Sequence, residues 1–162
     1  MRLILALGAS LLLALPLGAE EAGLSEEQAQ VLTCLDGMGA GTEWGQCVGL
    51  MFAPCADQDV GSEGHVACLT QLHSDWRVSM DGARTGLMAE LTSTGSTELA
   101  QLMGQWFGLV AQNCSDVAVA KEPGFAEAAQ LGCEISEMAG VTSEFVACHE
   151  GRSTAPYCVI QE

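Results

Sequence analysis

The chain has 162 residues, with 5 Lys and Arg against 21 Asp and Glu, a formal charge of −16 and 49% hydrophobic residues. So acidic a surface repels nucleic acid and anionic lipid; it suits solubility and speeds the encounter with a basic partner. Eight cysteines, three histidines and a single tyrosine complete the inventory of reactive side chains.

The chain opens with Arg2, an apolar run from Leu3 to Leu17 broken by Gly8, Ser10 and Pro16, and Gly18-Ala19 before Glu20-Glu21. A positive start, a short apolar stretch and small residues at its end are the layout of a secretory signal peptide. A membrane-spanning helix needs about 20 apolar residues, so a retained anchor is the weaker alternative. The expected cut follows Ala19, giving a leader over 1–19 and one mature domain over 20–162 with no membrane anchor. Losing Arg2 takes the formal charge from −16 to −17.

Ser25-Glu-Glu-Gln28 is a capping box, in which Ser25 caps a helix start and Gln28 reaches back. Val31, Leu32, Leu35 and Met38 follow as one apolar face, ended by Gly37, Gly39 and Gly41. Thr42 is placed to cap a second helix carrying Trp44, Cys47, Val48, Met51 and Cys55, with Pro54 at its end. Residues 56–64 read as an acidic surface loop with Asp57, Asp59 and Glu63.

The strongest periodicity runs over 63–91, where Leu69, Leu72, Trp76, Met80, Ala83, Leu87 and Leu91 recur at steps of three and four. After a break at Thr92–Ser96, Leu99, Leu102, Met103, Trp106, Leu109 and Val110 mark a second long amphipathic helix over 96–113. Trp76 and Trp106 lie centrally on these stripes, as core anchors where the two helices would face each other. A loop over 115–123, a helix over 125–138 with Leu131 and Ile135 inward, a short helix near Phe145, Val146 and Cys148, and an irregular end from Gly151 complete the chain. No stretch alternates as a strand does. The expected fold is an all-α, disulfide-stapled bundle built on two long amphipathic helices.

All eight cysteines, Cys34, Cys47, Cys55, Cys68, Cys114, Cys133, Cys148 and Cys158, lie after the leader. An even number in an exported chain points to disulfides, and the absence of CxxC pairs argues against metal. Neighbour pairing would staple each helix junction. Cys47 and Cys55, eight apart on one helix face, leave open a second scheme in which both bridge to a packed partner helix.

No catalytic constellation emerges. His65 and His73 are eight apart, too far to share a metal along one helix, and His149 follows Cys148. Haem-attachment, zinc-protease, nucleophile-elbow and phosphate-loop motifs are missing. The acidic positions 57, 59 and 63 lack the pattern of a dedicated calcium loop. The reading is therefore of a non-enzymatic protein with no cofactor and no metal.

The run Cys47-Val-Gly-Leu, Cys55, the acidic loop, Cys68-Leu69, Trp76 and Met80, followed by Leu99, Trp106, Cys114 and Gly132-Cys133, resembles the lysozyme-inhibitor LprI-like family of exported bacterial domains. The resemblance spans roughly residues 34–135 and rests on a Cys/Trp/Leu skeleton. Met80, Asp81 and Arg84 stand where the family carries a Leu-Asn pair and a Tyr, and Val110-Ala111 where it carries Arg-Asp. The resemblance implies a helical periplasmic or secreted domain whose partner is a basic lysozyme. The acidic loop with Asp57, Asp59 and Glu63 is then the candidate contact. The alternative is a structural or assembly factor of the cell envelope.

Overall fold

A computed structural model describes residues 23–40 and 44–160. The leader over 1–19, its cleavage point and Thr42 lie outside the described residues. The fold is all-α, with helices α1 (Glu26–Asp36), α2 (Trp44–Phe52), α3 (Glu63–Glu90), α4 (Ser93–Val119) and α5 (Pro123–His149). Single 3-10 turns follow α1 and α2, at Gly37–Ala40 and Ala53–Cys55.

The first helix starts as the sequence dictates. Gln28 N–H donates to Ser25 Oγ at 3.2 Å, and Ser25 N–H donates to Gln28 Oε1 at 2.9 Å, closing the box. Such caps satisfy amides that a helix start otherwise leaves orphaned. Ser62 caps α3 by accepting from His65 N–H, and Thr92 caps α4 by accepting from Gly95 N–H. The Thr92–Ser96 break is thus a single corner, and the second long helix begins at Ser93 rather than 96.

Both expected long helices form, and a third of similar length joins them. The α4 helix runs through Asn113 to Val119, because Val110, Cys114 and Ala118 extend its buried stripe across the segment expected to be a loop. Residues 123–149 form one 27-residue helix instead of two shorter ones. Ile135, Met138, Ala139, Thr142, Phe145 and Cys148 are all buried on one face of it. Gly140 in their midst costs about 1 kcal/mol of helix propensity, less than burying even one of the large side chains contributes.

The arrangement of the three long helices corrects the expected packing. Both α3 and α4 lie along α5 and scarcely touch each other. Two contacts fix the direction of α3 and α5. His73 Nε2 meets Glu134 at 2.9 Å, and His149 Nδ1 meets Glu90 at 2.7 Å, so α3 and α5 run parallel. Trp76 is fully buried, but Trp106 is only part-buried and stacks edge-on against Phe107, with ring centroids 5.1 Å apart. Trp106 is therefore not the facing anchor that its stripe predicted. The α4 stripe is also narrower than its periodicity suggested, since Leu102 and Leu109 are exposed.

Four disulfides join sequence neighbours: Cys34–Cys47, Cys55–Cys68, Cys114–Cys133 and Cys148–Cys158. The first staples α1 to α2, the second the turn after α2 to α3, the third α4 to α5, and the last the tail to α5. Each closes a short loop, and a bridge of this kind contributes roughly 3 kcal/mol, largely by restricting the unfolded chain. The scheme in which Cys47 and Cys55 both reach one partner helix does not occur.

The tail lies across the α3–α4 corner. Thr92 N–H donates to Val159 O at 2.9 Å, Leu91 and Ile160 form an isolated antiparallel bridge, and Tyr157 is buried. Arg152 pairs with Glu150 and with Asp36, which draws the tail toward the end of α1.

Candidate functional site

The acidic loop springs from a rigid base. Cys55 is buried and bridged to Cys68, so one end of the loop is tied to the first turns of α3. Within it, Ala56 N–H donates to Ala53 O, Gln58 N–H to Cys55 O, and Ser62 N–H to Asp59 O, at 3.2, 3.2 and 2.9 Å. These tight turns pair part of the loop's backbone as it leaves the 3-10 turn at Ala53–Cys55.

Two further contacts hold it, and neither was read from the sequence. Gly61 adopts φ +79°, and a β-carbon there would come within 2.6 Å of the Phe125 ring. Phe125, in the first turn of α5, therefore packs directly beneath the turn. Its position just after Pro123-Gly124 was legible as a helix start but not as a support for a loop some 60 residues earlier. His65 adds a local tie, accepting from Gly61 N–H through Nδ1 at 3.3 Å.

Asp57 and Asp59 are exposed, and so is Glu63 in the first turn of α3. Among the described residues none of the three carboxylates is paired with a cation. Glu63 also sits in the first turn of α3, at the positive end of the helix macrodipole, where an acidic side chain is favourably placed. The structure thus gathers the three candidate residues on one short stretch, the acidic loop and the start of α3, with all three side chains exposed. Cations are scarce in the chain as a whole: of its five Lys and Arg, Arg84 engages Asp81, and Arg152 engages Asp36 and Glu150.

Several other titratable groups serve the scaffold. The eight cysteines are all in bridges. His73 and His149 clasp α3 to α5, and His65 ties the acidic loop. Glu27 is held below the usual carboxylate range by its own backbone amide and then by Ser25. Tyr157 is pushed up to about 12 by burial and secondarily by the Glu144 carboxylate. Among the described residues no group of three or more His, Cys, Asp or Glu side chains is placed to hold a metal ion, and no helix is long and apolar enough to cross a membrane.

Compared with known proteins, the chain matches no family model, no curated protein and no solved structure.

Proposed function

We propose that this is a non-enzymatic, exported binding protein that engages a basic protein partner through its acidic loop. A lysozyme is the target suggested by the likeness of its Cys/Trp/Leu skeleton to the LprI-like inhibitors. The single observation that carries the reading is the turn at Asp57, Asp59 and Glu63. Three exposed, unpaired carboxylates stand on a backbone fixed by the Cys55–Cys68 bridge and by Phe125. A pre-ordered turn loses little conformational freedom on binding, and clustered like charge accelerates the encounter with a cationic surface. Export fits four disulfides, which persist in oxidising compartments. The use of every histidine and cysteine in the scaffold fits a protein that binds rather than catalyses.

A second reading, assembly with another envelope protein, draws on α4. Its 27 residues carry only two charges, Glu98 and Asp116, and its outer side exposes Leu102, Phe107 and Leu109. Salt separates the readings. Binding of a basic lysozyme through the turn weakens as ionic strength rises, whereas an apolar contact through α4 persists. The test is inhibition of a basic lysozyme at low and high salt, with calorimetry alongside. No inhibition and no binding at high micromolar concentration would replace the first reading with the second.

A further inference from the structure

A groove of about 620 Å³ opens between α1, α2 and α3, at the foot of the acidic loop. Val31, Leu50, Met51, Pro54, Leu72 and Trp76 give it an apolar wall, and Pro54 and Cys68 place its end at the bridge from which the loop springs. Its volume is in the range of sites that hold a small ligand or a few side chains.

One buried polar group in this wall is incomplete. Gln28 is only 7% exposed, and its Oε1 accepts from Ser25 N–H at 2.9 Å and from Ser79 Oγ at 2.8 Å. The Ser25 amide can only donate, so the side-chain orientation is fixed: the oxygen must face Ser25 and the nitrogen must face away. That nitrogen, Nε2, is buried and has no hydrogen-bond partner. A buried donor left unsatisfied carries an uncompensated desolvation cost, so the site favours an acceptor that reaches it. The rim has one sign of charge. Glu27 and Asp75 border the groove, and no Lys, Arg or His lines it.

We propose that this groove takes an extended segment of a basic polypeptide. An apolar side chain fills the wall between Leu50 and Trp76, a backbone carbonyl of the segment accepts from Gln28 Nε2, and a neighbouring Lys or Arg lies against Glu27 and Asp75. A peptide supplies all three features within two residues, and an anionic or purely aliphatic ligand does not. The inference rests on the reading of the protein as a binder of basic partners, and gives that contact an apolar anchor beside its charged turn.

The test uses the full mature chain and a blocked hexapeptide of alternating Leu and Lys, titrated by calorimetry at low salt, with a Leu/Glu hexapeptide as control. Gln28→Met removes the donor and should weaken binding about tenfold, the loss of one hydrogen bond. Because Gln28 also caps α1, two surface variants accompany it. Glu27→Gln with Asp75→Asn should weaken binding several-fold and flatten its salt dependence. Leu50→Arg, at a half-exposed position, should abolish binding and keep the wild-type melting temperature, whereas the pair that includes Glu27→Gln, in the first turn of α1, should melt slightly lower. No binding of the Leu/Lys peptide, equal binding of the Leu/Glu peptide, or affinity indifferent to all three variants would overturn the proposal. Lysozyme binding measured in parallel separates the two claims. If lysozyme binds but the Leu/Lys peptide does not, or the peptide's binding ignores Leu50→Arg, the groove is refuted and the proposed function stands. If the peptide binds with the expected variant pattern and lysozyme does not, the groove stands and its partner is another basic protein.

Discussion

The backbone carbonyl of Tyr157 lies 2.7 Å from the point that a β-carbon on Gly95 would occupy. Gly95 is buried in the first turn of α4, and the tail crosses there on its way to the bond between Thr92 and Val159. The obstructing atom belongs to the backbone, and the Cys148–Cys158 bridge anchors that backbone on the next residue. Gly95→Ala should therefore push the tail off the corner despite the better helix propensity of alanine. Overpacking of this kind costs typically 1–3 kcal/mol, so a lowered denaturation midpoint is expected. A variant as stable as the parent would show that the tail moves aside freely.

Tyr157 offers a spectroscopic reading of the same corner, because the chain has one tyrosine. Burial first, and the nearby Glu144 carboxylate second, raise its phenol from 10.0 to about 12. The folded value exceeds the unfolded one, so the neutral phenol adds stability that is fully present below pH 10 and is lost as pH rises toward 12. Absorbance of the native protein at 295 nm should show no phenolate at pH 10.5, while the unfolded chain is largely ionised there. Glu144→Gln should move the native transition slightly downward. A native transition near pH 10 would place the ring in water.

The two tryptophans that looked alike in the sequence should behave differently. Trp76 is 1% exposed, packs among the residues of the main core and is expected to cost about 3–5 kcal/mol when replaced by Ala. Trp106 lies in a shallow groove with His73, Arg77 and Glu134 and keeps part of its surface in water, so Trp106→Ala should cost clearly less. Chemical denaturation of both variants ranks them. Equal losses would mean that Trp106 is better packed than its exposure indicates.

This difference marks where sequence reasoning stops. The Ser25–Gln28 box and the stripe from Leu69 to Leu91 depend on residues close in the chain and were legible, and the neighbour pairing of the cysteines was one of two schemes the sequence left open. Periodicity says which face of a helix is apolar but not which helix covers it. Hence the insertion of α5 between α3 and α4, which leaves Trp106 part-exposed, was not legible. Gln28 is a second case. Its local role as a cap was plain, but its bond to Ser79, 51 residues away, and the donor this leaves over belong to the tertiary fold. For the acidic turn, composition located Asp57, Asp59 and Glu63, but the support from Phe125 depends on the start of α5 arriving underneath.

That support bears on the acidic turn itself, where charge and fold should separate cleanly. Asp57 and Asp59 are exposed and take part in the turn through backbone groups or not at all, so Asp57→Asn and Asp59→Asn should each change stability by no more than about 0.5 kcal/mol. Glu63 differs because it opens α3, and Glu63→Gln gives up a favourable interaction with the helix dipole worth roughly 0.3–1 kcal/mol. The triple variant should therefore melt only slightly lower than the parent. If the turn meets a basic lysozyme, the same variant should associate more slowly, with a flatter dependence on salt and a smaller change in dissociation rate, because rim charges act mainly on the encounter. Stopped-flow association at two ionic strengths, next to a thermal melt, reads both effects. A large loss of stability would make these carboxylates structural, and an unchanged association rate would remove the turn from the contact.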